Sequence, residues 1–217
     1  MVAKTRKKAI SRGKALKNFK GLMGPATKVI AARFGKDFAV EVEKTTLKEF
    51  EALIPRIPYI GGRKNMLSDM PVRSGVILAL YRALEKKGVP LVEFGKILEE
   101  ITTAYMNRYP APVRKMAGKL WMSAFFRRQL MKQANMSQKR NYDEDFVYEI
   151  IPGDGKYKWG IDYTECGIVK FFKKQDEEEL AKYACILDYL MFPAIGVELK
   201  RSGTIAEGCR RCDFRFR

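Results

Sequence analysis

The sequence predicts an α+β protein, with a helical first part followed by an antiparallel β-sheet with helices packed on it. Three observations carry this. Apolar residues recur at helical spacing through roughly the first 135 positions. Strict alternation then sets in, with Tyr157, Trp159, Ile161 and Tyr163 opposite Lys158, Gly160, Asp162, Thr164 and Cys166. A polar and basic stretch, Met136 to Asn141, lies between the two and marks the boundary.

In chain order, Leu16, Phe19, Leu22 and Met23 predict a helix over Ala15 to Phe34, interrupted near Gly24-Pro25. A second helix opens at Thr46-Leu47-Lys48-Glu49 with Thr45 or Thr46 as its cap, and stops before Pro55. Two prolines and Gly61-Gly62 make Ile54 to Asn65 an ordered loop. That Gly-Gly pair beside Arg63 and Lys64 is either a plain turn or a set of backbone N–H groups offered to a carboxylate or phosphate. Val72, Val76, Leu80 and Leu84 place a long helix over Pro71 to Lys87, ended by Gly88 and Pro90. Another follows over Val92 to Tyr105 with Phe94, Ile97, Leu98 and Ile101, broken by Pro110 and Pro112. Val113 to Ala134 reads as one further helix. A strand over Asp145 to Ile151, a turn at Pro152-Gly153-Asp154-Gly155 and a strand over Tyr157 to Cys166 then form a hairpin. A helix or helix pair spans Ile168 to Phe192 with a break at Gln175-Asp176, and strands follow over Val197 to Ala206 and Asp213 to Arg217. The organisation is a basic segment over 1–36, a helical part over 37–140 and an α+β part over 141–217, the last two forming one integrated unit.

At 217 residues, 47% hydrophobic and 12% aromatic, the chain can bury a core and does not read as disordered. No apolar run approaches the roughly 20 residues that span a bilayer, and the N-terminus lacks the apolar region of a secretory signal. With four cysteines, this predicts a cytoplasmic protein with reduced thiols. Histidine is absent, which excludes Ser-His-Asp and Cys-His machinery and leaves proton transfer to Asp, Glu, Cys, Lys or Tyr. The net charge of +17 is uneven. Residues 1–36 hold eleven bases, among them Lys4, Arg6, Lys7 and Lys8, and no acid, whereas from Asp143 onward there are fifteen acids and twelve bases. A uniform nucleic-acid-binding surface would not look like this. The basic N-terminal helix is either the solvated face of a docked helix or a contact for nucleic acid or an anionic membrane.

The chemistry-bearing residues cluster late. Cys166, Cys185, Cys209 and Cys212 all follow residue 165. Cys166 closes a strand before a helix, where unpaired N–H groups favour a thiolate. Cys185, Asp188, Tyr189 and Phe192 share one helical stripe beside the apolar stripe of Leu180, Tyr183, Ala184 and Leu187. Asp188 therefore sits at the edge of a buried face and needs a partner. Cys212 points with Phe214 and Phe216, and Asp213 points with Arg215. Three readings stay open for the thiols: buried small hydrophobes, a four-cysteine zinc site from Cys166, Cys185, Cys209 and Cys212, or a nucleophile with an acid nearby as base.

The string Cys185-Ile-Leu-Asp188-Tyr189, with Leu199-Lys200-Arg201, Thr204-Ile205-Ala206-Glu207-Gly208-Cys209 and Cys212-Asp213-Phe214-Arg215-Phe216, resembles the L-2-amino-thiazoline-4-carboxylic acid hydrolase family. Glu165-Cys166 before a helix fits too, as does the Pro58-x-x-Gly61-Gly62-x-x-Asn65 loop, so that the resemblance extends from about residue 45. It implies an enzyme that adds water to the electrophilic C2 of a small cyclic amidine bearing a carboxylate, giving an N-carbamoyl amino acid without a cofactor. On that resemblance Cys185 or Cys212 attacks or lines the pocket, and Asp188 or Asp213 exchanges the proton. Arg201 and Arg215 hold the substrate carboxylate. Asn65, Thr204 and Tyr189 complete the pocket, and the sequence leaves a homo-oligomer open. The late cysteines also resemble vinyl-reductase-type ligand-binding domains, which implies a sensor module without turnover that binds a small molecule or zinc.

Overall fold

Helix-forming sequence occupies the chain up to Ser137, and sheet-forming sequence takes over at Val147. The structure, a computed structural model, describes residues 10–217. Lys4, Arg6, Lys7 and Lys8 of the basic segment lie outside them.

Helix α1 (Arg12–Phe34) starts at Ser11, whose hydroxyl accepts from Lys14 N. It runs unbroken through Pro25, where an interruption was expected. Proline removes the N–H that the Gly21 carbonyl would otherwise accept. The Arg108 guanidinium takes its place, donating to Gly21 O at 3.1 Å while lying 4.2 Å from the Tyr105 ring centroid. Gly35, at φ 92°, reverses the chain into α2 (Lys36–Leu53). This helix begins at Lys36, upstream of the threonines expected to cap it. Thr46 is buried mid-helix instead, and its hydroxyl donates to Val42 O at 2.7 Å.

The loop 54–65 carries two short 3-10 turns, Ile54–Arg56 and Gly62–Lys64. Helix α3 (Met70–Glu85) is buried on nearly every side, because its outward positions are Ala, Ser and Gly as well as Leu and Val. It touches α1, α2 and α4 (Leu91–Asn107). The expected single helix over Val113 to Ala134 is two helices, α5 (Ala111–Trp121) and α6 (Ala124–Ser137). Ser123 makes the break: its hydroxyl accepts from Phe126 N at 3.1 Å and starts the second helix.

Strands β1 (Val147–Pro152) and β2 (Trp159–Glu165) form the expected hairpin. Helices α7 (Gly167–Lys173), α8 (Leu180–Ile186) and α9 (Asp188–Ala194) follow. The break at Gln175-Asp176 is present, with Asp176 at φ 58°; a second break at Leu187 was not foreseen. Of the strand expected over Val197 to Ala206, only Leu199–Lys200 forms (β3). From Arg201 the chain leaves the sheet because Thr204 caps a 3-10 turn over Ile205–Glu207. Strand β4 (Cys212–Phe216) closes the sheet in the order β1-β2-β4-β3, with every neighbouring pair antiparallel. The fold is α+β.

Period-2 alternation sorts the sheet faces. Trp159 pairs with Phe216, Ile161 with Phe214 and Tyr163 with Cys212 on the inner face. There Trp159 meets Phe216 at 4.7 Å between centroids, and Trp121 of α5 meets Phe192 of α9 at 5.1 Å. Each fully buried aromatic here, such as Trp159, Phe171, Phe172 and Phe216, contributes about 2–3 kcal/mol. One continuous core runs from Ala15 to Phe216. Arg82 of α3 stitches the two parts together, donating to Gln175 O at 2.9 Å and to Glu177 at 3.2 Å.

Candidate active site around Arg201

Strand β4 sets the geometry. Cys212, Phe214 and Phe216 are buried, while Asp213 and Arg215 face the other way, as the alternation predicts. Above the inner face, the chain leaving β3 delivers Arg201, whose side chain is 4% exposed. Its Nη1 donates to Asp188 Oδ2 at 2.8 Å, and its Nη2 donates to Cys185 O at 3.0 Å. The guanidinium carbon lies 4.9 Å from the Tyr189 ring centroid and 5.0 Å from that of Phe214. Tyr189 Oη donates to Arg201 O at 3.2 Å. A buried cation thus has a carboxylate, a carbonyl and two aromatic faces, which is what its burial requires.

Asp188 opens α9, and its Oδ1 makes no hydrogen bond among the described residues. Burial pushes its carboxyl up to about 6, outweighing the opposite pull of Arg201. Cys166, Cys185 and Cys212 are close enough to feel the Asp188 charge. Burial pushes all three thiols up, Cys166 to about 11. For Cys166 this reverses the expectation of a stabilised thiolate: the N–H groups of Ile168 and Val169 lower it, but desolvation wins. Cys212 Sγ accepts from Ile205 N at 3.1 Å. Tyr163, across the strand pair from Cys212, is likewise pushed up by burial and sits in the same cluster.

A cleft of about 130 Å³ opens beside the cluster. Cys185, Tyr189, Arg201, Gly203 and Thr204 line it, with Lys182 and Glu207. Arg201 joins the two features: it lines the cleft and pairs with Asp188, which does not line it. The Thr204 hydroxyl is already occupied, donating to Glu207 Oε2 at 2.7 Å and accepting from Glu207 N at 3.2 Å. This is a reciprocal cap, legible in the sequence as Thr-x-x-Glu yet missed there.

The structure brings Cys185, Asp188, Tyr189, Arg201, Thr204 and Cys212 together and places three other expected residues elsewhere. Asp213 holds the turn after Arg201: it accepts from Ser202 N at 2.9 Å, Ser202 Oγ at 2.7 Å and Gly203 N at 3.2 Å. Burial opposes its ionisation, but these donors hold its carboxyl below the usual range. Arg215 lies on the outer face and donates to Asp162 at 2.6 Å, with Gly160 leaving room for its side chain. Asn65 belongs to a second cleft of about 290 Å³ that shares no lining residue with the first. There its amide donates to Ile60 O at 2.7 Å and to both oxygens of Asp145 at 2.9 and 2.8 Å. Tyr163, Glu207 and Lys182 were not singled out from the sequence. Tyr163 carried a signal there in its place on the inward alternation, and Glu207 in the Thr-x-x-Glu spacing from Thr204; Lys182 carried none.

All four cysteines are free, Cys209 exposed and Cys166 and Cys212 buried. Among the described residues, no group of three or more His, Cys, Asp and Glu side chains is placed to hold a metal ion. The four-cysteine arrangement of Cys166, Cys185, Cys209 and Cys212 is therefore not assembled. No helix of the described residues is long and apolar enough to cross a membrane.

No curated protein and no solved structure matches the chain. The family model for L-2-amino-thiazoline-4-carboxylic acid hydrolase matches residues 71–216. The match leaves out the Pro58–Asn65 loop but contains Cys185, Asp188, Arg201 and Cys212, together with all four strands. Spanning about two-thirds of the sequence, it shows that the chain belongs to the L-2-amino-thiazoline-4-carboxylic acid hydrolase family.

Proposed function

We propose that the chain is a hydrolase that opens a small sulfur- and nitrogen-containing ring at its amidine-like carbon, with L-2-amino-thiazoline-4-carboxylate as the first substrate to test. The reading rests on the Asp188–Arg201 pair. Asp188 is a carboxyl with one free oxygen, titrating near pH 6, beside a cleft that reaches it through Arg201. Burial pushes the nearby thiols up as well, from an ordinary value already above neutrality, so at neutral pH they are protonated and Asp188 is the available base. Water is then the nucleophile, and the cysteines line the site.

In this mechanism Asp188 takes one proton from water as the oxygen bonds to C2, and the second water proton passes from the new C2 hydroxyl through solvent to the ring nitrogen. The C2–S bond then breaks, Asp188 returns its proton to the departing sulfur, and C2 keeps the oxygen as a carbonyl. The sum is one water consumed and one thiol released as N-carbamoyl-L-cysteine. Two of the five guanidinium N–H groups of Arg201 go to Asp188 and Cys185 O, which leaves three for the substrate carboxylate. Lys182 adds positive charge on the same cleft.

The test is thiol release from the substrate by the full chain, with the protein's own four cysteines subtracted. The expected result is turnover that Asp188→Asn removes and Cys212→Ser retains. Turnover lost in Cys212→Ser but kept in a folded Asp188→Asn variant would overturn the water route. An absence of turnover above the buffer rate would overturn this substrate.

A further inference from the structure

We infer that the outer face of α5 and the start of α6 docks the protein on an anionic lipid surface. Helix α5 is attached along one edge only. A Cβ at Gly118 would stand 2.0 Å from Ile195 O, and Trp121 packs on Trp159 and Phe216. On the opposite side, Val113, Met116 and Leu120 follow helical spacing and form an uncovered apolar stripe. Met116 and Phe125, each 66% exposed, extend this stripe into a contiguous apolar patch with Val113 and Leu120. Lys115 and Lys119 run beside the stripe, one turn apart.

The charge around this face is equally unmatched. Residues 101–142 contain nine Lys and Arg and no Asp or Glu. Among the described residues, only Arg140 of these nine makes an ion pair, with Glu165. Several bases elsewhere are paired, as Arg33 is with Glu93 and Glu100, and Lys170 with Glu165. Arg108 reaches across to Gly21 O, so this basic region adjoins α1, where Lys17, Lys20 and Lys28 are exposed.

Exposed apolar tips with unpaired cations beside them match the two components of an anionic bilayer, acyl chains and phosphate headgroups. The long Lys and Arg stems let the charges reach the headgroups while Met116, Leu120 and Phe125 enter the acyl boundary. A second copy fits worse, because a two-fold contact would press this positive face against itself. Nucleic acid would use the cations and leave the aliphatic tips without a function.

The test is co-sedimentation of the full chain with phosphatidylcholine vesicles, with and without a one-third share of phosphatidylglycerol. The expected result is pelleting with the anionic vesicles alone, reversed by high salt. The partition coefficient should fall by about tenfold or more in Met116→Glu/Phe125→Glu and in Lys115→Glu/Lys119→Glu. Val40→Glu, at an equally exposed apolar position on α2, should leave it unchanged. The proposal fails if the wild type does not pellet, or if neither double variant weakens binding. It also fails if only the lysine reversal does, since the contact is then electrostatic without insertion. A concentration-dependent dimer in analytical ultracentrifugation that Met116→Glu abolishes would assign the face to a second copy and overturn it as well.

Discussion

Two Arg–Asp pairs sit on opposite faces of one sheet and do different work. On the outer face, Asp162 is 2% exposed and both its oxygens are taken, Oδ1 by Arg215 at 2.6 Å and Oδ2 by Arg211 at 3.1 Å. On the inner side, Asp188 gives one oxygen to Arg201 and keeps the other free, with a side chain 30% exposed. A carboxylate saturated by two cations has no site left for a proton in transit and acts as a brace. One left half-satisfied beside a cleft can exchange a proton. The number of occupied oxygens, rather than burial alone, separates the two roles.

Substitution of the two aspartates sharpens that contrast most. Asp188→Asn is expected to lower kcat for the proposed ring opening by about 10²–10⁴-fold, measured by thiol release. Asp162→Asn should leave kcat within a few-fold but lower unfolding stability by about 3 kcal/mol in urea titrations, because Arg215 loses its buried partner. If Asp162→Asn abolishes turnover in a folded protein, the division between brace and proton carrier is wrong.

The pH dependence is the next largest effect. Folded Asp188 keeps its proton up to about pH 6, whereas the unfolded chain releases it near 3.8. The folded state binds more protons between these values, so the contribution is fully present below the lower one and is lost as pH rises through the upper one. Wild-type stability relative to Asp188→Asn should therefore fall by about 1–2 kcal/mol between pH ~4 and pH ~7, read by chemical denaturation. The same group makes kcat/KM rise through about pH 6, so the ascending limb of a pH–rate profile reports it from the other side.

Gly160→Ala is a smaller probe, aimed at the brace. The new Cβ would meet Phe214 O at 2.5 Å and Arg215 Cδ at 2.9 Å, which should cost about 1–3 kcal/mol without changing the pH–rate midpoint. The smallest expected effect is Thr204→Ala. It removes the cap on the turn that lines the cleft and should lower the melting temperature by about 2–4 °C.

Local patterns carried the fold class and half of this contrast. The alternation placed the inward and outward residues correctly over Trp159–Thr164 and Cys212–Phe216, where a two-residue period leaves a side chain no third direction. It failed beyond the strand ends, where the Tyr157 ring lies 5.3 Å from the outer-face Arg215 and Cys166 is buried in the inner cluster. Helix breaks were harder. Pro25 was expected to interrupt a helix that instead recruits a distant arginine, and Ser123 divides a helix that periodicity ran together. Pairings across long stretches of chain left no local trace: Arg201 with Asp188, Arg215 with Asp162, and Asn65 with Asp145. Each of these decides whether a polar residue is free for a ligand. Arg215 and Asp213 looked available from sequence and are already committed in the fold.

The Pro25 site also fixes how the first helix is seated. Within a helix every carbonyl is ordinarily filled by the N–H four residues on, so a neighbour sliding along it meets the same surface at each turn. In α1 the Gly21 carbonyl breaks this uniformity, and Arg108 at the end of α4 docks there, held flat by Tyr105. A slip of one turn, about 5.4 Å, would face the guanidinium with an already filled carbonyl. The proline thus works as a notch and the arginine as its key, and together they set the height at which the N-terminal helix seats against the bundle.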